Sequence, residues 1–274
     1  MSNPLIQWHF LCRGCRYEGS NLEPYINELN AERVVEEIVR VEGLKHVREE
    51  NSHLILTELL KIKPTGSKLL EVGCAHGWFL EIAQKHYNVL GLEADHGVFS
   101  AYLTQNRLAR EGFFPEAIKP GEKFDMIVFN DVFEHLTDIE SAIQSCDEFL
   151  IDGGLLVLAL PSSDGFLYRI SKVLFRLGIR WPFQRFWQVG LPSPHRHYFR
   201  PENLESLLRN QHFNRVFSGS IKTVTLRGLY ERLACAGTTS KLFAVFGYLG
   251  ILILAPLMRV LPSDAIMVIA RKAV

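Results

Sequence analysis

Residues Lys68 to Asp95, KLLEVGCAHGWFLEIAQKHYNVLGLEAD, constrain the fold more than any other stretch of the chain. Leu69 to Val72 is a short apolar run of the kind buried in a parallel sheet, and Gly73 stops it where the chain must turn sharply. The pattern predicts a helix from about Trp78 and a second strand over Val89 to Leu92, closed by acidic residues. Strand, glycine-bearing turn, helix and strand in direct succession indicate an α/β protein with a parallel sheet.

The turn, Gly73-Cys74-Ala75-His76-Gly77, has small or absent side chains that let backbone amides approach a ligand. The helix N-terminus that follows favours polar or anionic groups. Glu93 falls at the carboxyl end of the second strand, where a carboxylate can accept hydrogen bonds from both hydroxyls of a ribose. A nucleoside is therefore implied. The dinucleotide fingerprint wants glycines at its first, third and sixth positions, which here hold Gly73, Ala75 and Trp78. Tryptophan does not suit the close helix-to-strand packing of the last position, so NAD is the weaker reading.

With these residues in view, the stretch resembles motif I of the class I S-adenosylmethionine-dependent methyltransferases: Glu71, Gly73, Ala75 and Gly77 match its acidic residue and alternate glycines, Ala75 being the one departure. Three later stretches fit in order, FDMIVFNDVFEHLTD (Phe124 to Asp138), GGLLVLALPS (Gly153 to Ser162) and PHRHYFRPENLESLL (Pro194 to Leu208). Together they resemble the bacterial small-molecule branch of that family, roughly from Ser67 to Phe217. The resemblance implies a Rossmann-like, mostly parallel seven-stranded sheet flanked by helices, its last strand antiparallel. It implies S-adenosylmethionine as cofactor and S-adenosylhomocysteine as product. Glu71 would orient the loop and the methionine end of the cofactor, Gly73, Cys74, Ala75 and Gly77 would bring backbone to it, and Glu93 with Ala94 would meet the ribose. Asn130 would line the methionine part, and Phe113, Phe114 or Glu116 would border the adenine. His135 of the EHL motif and His197 are the catalytic candidates, and His195 and Tyr198 the substrate-side ones. For His135, capping of local backbone is an equal alternative to proton transfer near neutral pH.

The length suits one α/β domain with additions, and 47% apolar residues can fill a sizeable core. A formal net charge of zero argues against nucleic acid as the main partner. Five cysteines without dense spacing fit a reducing compartment, and MSNPLIQWHF lacks a secretory pattern. The expected location is the cytoplasm, with contact to a membrane open.

Residues 1–22 resemble the second half of a zinc ribbon. Cys12, Cys15 and His9 fall short of four zinc ligands, so a metal-free remnant is expected, with a weak zinc alternative. Residues 23–66 predict two helices broken near Gly43, one carrying Val34, Val35, Ile38 and Val39 and the other Leu54, Ile55 and Leu59. The methyltransferase domain, 67–274, carries two insertions. The first, 163–200, has no acidic residue from Gly165 to Arg200, and Arg169, Lys172, Arg176 and Arg180 follow helical spacing. It reads either as a basic amphipathic helix for an anionic membrane surface or anionic substrate, or as an ordinary solvated face. Trp181, Phe183, Phe186 and Trp187 either suit an apolar acceptor or anchor the insertion.

The second insertion, 223–262, is uncharged over Leu242 to Met258, about 25 Å if helical. A membrane span there would put the strand at Ala265 to Ala270 on the wrong side of a bilayer. A buried or interfacial helical pair is expected instead, offering peripheral membrane contact or a homodimer interface. The function expected is methyl transfer from S-adenosylmethionine to a small-molecule acceptor, anionic, sugar-linked or lipid-linked. The alternatives are a catalytically silent cofactor-binding or scaffold protein and, more weakly, a nucleotide-sugar or NAD oxidoreductase.

Overall fold

A computed structural model describes residues 7–27, 37–104, 108–225, 228–234 and 241–273. Its elements run β1 (His9–Leu11), β2 (Glu18–Ser20), α1 (Glu37–Ile62), β3 (Lys68–Val72), α2 (Trp78–Ala83), β4 (Asn88–Glu93), α3 (His96–Val98) and β5 (Ala109–Glu111). There follow β6 (Phe124–Asn130), α4 (Ile139–Phe149), β7 (Leu150–Pro161), α5 (Phe166–Arg176), α6 (Trp181–Phe186) and β8 (His197–Tyr198). The last are α7 (Pro201–Asn210), β9 (Phe213–Ile221), α8 (Leu229–Ala234), α9 (Lys241–Leu254) and β10 (Ala265–Lys272).

The large sheet has the order β5-β4-β3-β6-β7-β10-β9. β3, β4, β5, β6 and β7 pair in parallel, and β10 lies antiparallel between β7 and β9. This is the expected mostly parallel seven-stranded sheet. Its central strands are apolar on both faces because both are covered: Leu70, Ile127, Leu156 and Leu158 face one buried cluster, and Leu69, Met126, Val128 and Val157 the other. The sheet order reverses beside β3, so the ends of β3 and β6 open the crevice where open α/β sheets bind ligands.

The second, small sheet joins β1, β2 and β8. It ties the cysteine-bearing N-terminal hairpin to the first insertion. Glu18 of β2 is buried and accepts from His9 Nε2 at 3.0 Å, Tyr168 Oη at 2.9 Å and Lys172 Nζ at 2.6 Å. Burial alone would raise the Glu18 pKa; the His9 and Lys172 contacts outweigh it and hold the group below its usual range. Lys172 therefore leaves the expected row of solvated basic residues, while Arg176 and Arg180 stay exposed. Phe183 and Trp187 are fully buried and anchor the insertion.

Several expectations shift. α1 runs unbroken through Gly43, since a mid-helix glycine costs only about 1 kcal/mol and α1 packs on α2 and α8. Val34, Val35 and Cys235 lie outside the described residues. The strand expected near Phe113 is β5, at Ala109–Glu111, where the chain pairs with β4. The second insertion forms the helical pair α8 and α9, and among the described residues no helix is long and apolar enough to cross a membrane.

Candidate active site

The loop after β3 takes left-handed backbone three times, at Gly73 (φ 70°), Ala75 (φ 45°) and Gly77 (φ 75°). Gly73 is required twice over, because a Cβ there would come within 2.5 Å of Val132 Cγ2. Ala75 adopts the same region at about 1 kcal/mol, so the departure from glycine does not change the loop's path. Trp78, which replaces the dinucleotide glycine, stacks on His76 with ring centroids 4.6 Å apart.

Glu93 ties this loop to the one after β4. Its Oε2 accepts from Ala75 N at 2.8 Å and its Oε1 from Asp95 N at 2.8 Å. Each oxygen keeps a further lone pair for a ligand hydroxyl. Burial raises the Glu93 pKa, opposed by the amides of Asp95 and Ala75. Glu71 lies beneath, buried, and its Oε2 has no hydrogen-bond partner. Burial pushes its pKa well above the usual carboxylate range against the pull of Arg48. Arg48 of α1, which sequence reasoning missed, pairs with Asp131 at 3.3 Å and donates to the Asn130 carbonyl at 3.4 Å.

A cavity of about 1050 Å³ opens over these loops. Gly73, Ala75, Glu93 and Ala94 line it, as do Phe113 and Phe114; Glu116 instead lines a shallow depression alongside. Glu71, Cys74, Gly77 and Asn130 stand behind the lining. Cys74 packs its side chain into a buried cluster with Leu80 and Leu103, and burial pushes its thiol far above the usual range. It can serve a ligand through backbone alone. The Glu93 carboxylate and the flanking aromatic pair fit a ligand with a ribose and a flat base.

Across the cavity, the candidates His135 and His195 converge on Glu134. Glu134 and His135, in a 3₁₀ turn after β6, meet His195 from the insertion: Glu134 Oε1 lies 3.9 Å from His135 Nε2 and 3.9 Å from His195 Nε2. His135 Nδ1 lies 3.0 Å from the Pro194 carbonyl, which can only accept, so Nδ1 carries the proton and Nε2 the lone pair. Tyr198 Oη donates to the Phe186 carbonyl at 2.8 Å, so His195 Nδ1 must donate to Tyr198 at 3.1 Å. Its Nε2 then accepts from Gln188 Nε2 at 2.8 Å. One imidazole lone pair, on His135 Nε2, thus faces a buried carboxyl group, whose pKa burial raises well above the usual range, with Asp131 adding to it. Burial likewise lowers the His195 pKa, reinforced by His135. The three ligand atoms lie within 4.8 Å of one another, a spacing that could hold a proton, a donated hydroxyl or a cation.

His197 sits elsewhere. It does not line the cavity; its Nδ1 contacts Tyr17 Oη, and its Nε2 donates to the Leu136 carbonyl at 2.8 Å. Burial lowers its pKa to about 4. Nδ1 thus braces β8 against the N-terminal hairpin and Nε2 braces it against the turn after β6. His195 and Tyr198 do line the cavity. Cys12 and Cys15 lie toward the tip of that hairpin, Cys12 half-buried and Cys15 exposed.

Comparison with known proteins places this geometry. A family model described as a methyltransferase domain matches residues 44–216, more than half of the chain. A ubiquinone biosynthesis O-methyltransferase from Chelativorans sp. (strain BNC1) is 28% identical over 156 residues, covering 52% of this chain and 57% of that protein. The chain spans about half the length of the curated relatives it matches. Among solved structures, a SAM-dependent methyltransferase from Archaeoglobus fulgidus superposes with a TM-score of 0.54 at 15% identity, covering 86% of this chain and 100% of that one. The plantazolicin methyltransferase BpumL, solved with SAH, gives 0.53 at 12% identity, covering 87% and 90%. The solved structures speak to the fold alone, and the matched domain spans the cofactor loop, the Glu93 brace and the Glu134–His135 turn: the chain belongs to the S-adenosylmethionine-dependent methyltransferase family.

Proposed function

We propose that this chain transfers the methyl group of S-adenosylmethionine to a hydroxyl oxygen of a small acceptor, with His135 taking the proton. The observation that carries the reading is the locked tautomer of His135, whose Nε2 lone pair faces Glu134 in the same cavity that the cofactor loop lines. The cofactor supplies a methyl group on a sulfonium, which leaves as the neutral thioether when the acceptor oxygen forms the new C–O bond. The protein's share is orientation: the loop and Glu93 hold the donor, and the Glu134–His135–His195 cluster holds the nucleophile in line. Protonation of His135 at Nε2 makes an imidazolium 3.9 Å from Glu134, a cation that favours the ionised carboxylate against the burial that raises its pKa. The O-methyltransferase names of the curated relatives support an oxygen acceptor.

Titration calorimetry with S-adenosylmethionine and S-adenosylhomocysteine, with NAD as control, tests the donor half. Saturable binding of the first two, weakened by Glu93→Ala, is expected; preference for NAD or no binding by folded protein would overturn it.

The same reading extends to the second insertion. The side of α9 away from the cavity leaves Leu249 49% and Ile253 76% exposed, and Arg176 and Arg180 lie exposed on the first insertion. An apolar face beside cations fits an anionic membrane surface. Flotation with vesicles containing anionic lipid should carry the protein upward; absence of binding with and without anionic lipid removes the membrane, and a concentration-dependent dimer would replace it.

A further inference from the structure

The cavity does not end at the histidines. It continues between the two insertions, where three helices each turn an apolar face toward it: Ile170 and Leu174 of α5, Leu229 and Leu233 of α8, and Gly250 and Leu254 of α9. The spacing of four residues in each pair puts both members on one side of their helix. α6 closes the wall, its Trp181 ring standing 3.6 Å from where a Gly247 Cβ would lie. At Gly250 a Cβ would meet nothing within 4 Å, so this helix leaves room where any other residue would project into the space. At about 1050 Å³ the whole cavity exceeds the roughly 300–1,000 Å³ typical of a site for one small molecule. α5 and α6 lie within residues 44–216 and α8 and α9 beyond them, so one wall of the apolar limb stands outside the matched domain.

We propose that the acceptor is an amphiphile: its hydroxyl-bearing head lies at Glu134, His135 and His195, and a long hydrocarbon chain lies in the limb between α5–α6 and α8–α9. This rests on the methyl-transfer reading for the head and on the helix faces for the chain. A polar acceptor of sugar size would leave the apolar limb without contacts, forfeiting the dispersion that a filled interior gains. A hydrocarbon chain removes that apolar surface from water and gains affinity with each methylene.

The test is a chain-length series. 4-Alkylphenols from 4-methylphenol to 4-decylphenol are titrated into the protein saturated with S-adenosylhomocysteine. Affinity is expected to rise about threefold to fourfold per methylene until the limb is full. Gly250→Phe, which places a ring in the open space, should end the rise after the shortest members, and Gly250→Ala should leave most of it. A flat series for the wild-type protein, or an undiminished rise in Gly250→Phe, overturns the proposal. Should Gly250→Phe fail to fold, Ile251→Trp narrows the same limb and decides the question in the same way. S-adenosylhomocysteine binding, read separately, keeps the two readings apart. Its absence sinks the methyltransferase function, while the phenol series run without it still reports on the limb.

Discussion

The two limbs of the cavity are built on opposite plans. The cofactor limb comes mainly from one continuous stretch, β3 to β4, and presents backbone and one buried carboxylate, Glu93, to the cavity. The acceptor limb draws single side chains from α5, α6, α8 and α9, elements spread over more than eighty residues. A backbone site tolerates few changes and needs left-handed turns; a side-chain site can be reshaped one residue at a time. That contrast explains how one domain serves many acceptors while keeping one donor.

The sharpest break of the comparison is at the junction of the limbs. His135→Ala should lower kcat about 100- to 10,000-fold while leaving S-adenosylhomocysteine affinity near wild type, because the proposed mechanism gives the side chain to the acceptor alone. Equal losses in both would merge the limbs into one unit. Glu93→Ala strikes the other side. Removing a carboxylate that holds two amides and, in the proposed reading, the ribose should weaken S-adenosylhomocysteine binding about 100-fold, from one or two charge-assisted hydrogen bonds. Unchanged affinity in calorimetry would show the ribose assignment to be wrong.

His197 offers a smaller effect with a defined pH window. Burial lowers its folded pKa to about 4, against about 6.5 when unfolded. Below pH 6.5 the unfolded state binds a proton that the folded state refuses, so stability falls as pH drops toward 4. Over that window the loss should reach about 2–3 kcal/mol. Urea melts of the wild-type protein should show it, and His197→Asn should flatten the slope while kcat at neutral pH changes far less than in His135→Ala. An unchanged slope would mean that the histidine titrates freely.

What the sequence revealed follows the same division. The strand, turn and carboxylate sit at fixed short spacings, so the turn from Gly73 to Gly77 and Glu93 at the end of the next strand could be expected from residue types, whereas the seven-stranded sheet followed from the family resemblance. The acceptor side depends on distant pairings. PHRHYF offered two histidines, His197 as a catalytic candidate and His195 as a substrate-side one, and only the tertiary fold turns His195 toward Glu134 while it ties His197 to Tyr17 and Leu136. Lys172 sat in a helical row of basic residues, yet its partner Glu18 lies 154 positions away, where no helical pattern reaches. Arg48 had no motif at all; it matters because α1 crosses the end of β6. The glycine at 43 misled because packing of α1 outweighs a local propensity.

Two glycines carry the comparison to its smallest and cleanest form. Gly73 holds a φ of 70° and a Cβ there would strike Val132, so Gly73→Ala should cost about 1–2 kcal/mol and weaken S-adenosylhomocysteine binding as well. Gly250 lies inside α9, where alanine is about 1 kcal/mol the better helix former and open space receives the methyl group. Gly250→Ala should therefore stabilise the protein by up to about 1 kcal/mol with S-adenosylhomocysteine affinity unchanged. Denaturant melts and calorimetry on the two variants measure opposite signs if one glycine serves the backbone of the cofactor limb and the other the width of the acceptor limb. The same sign at both positions would mean that α9 is packed shut at Gly250, and the acceptor limb would lose its floor.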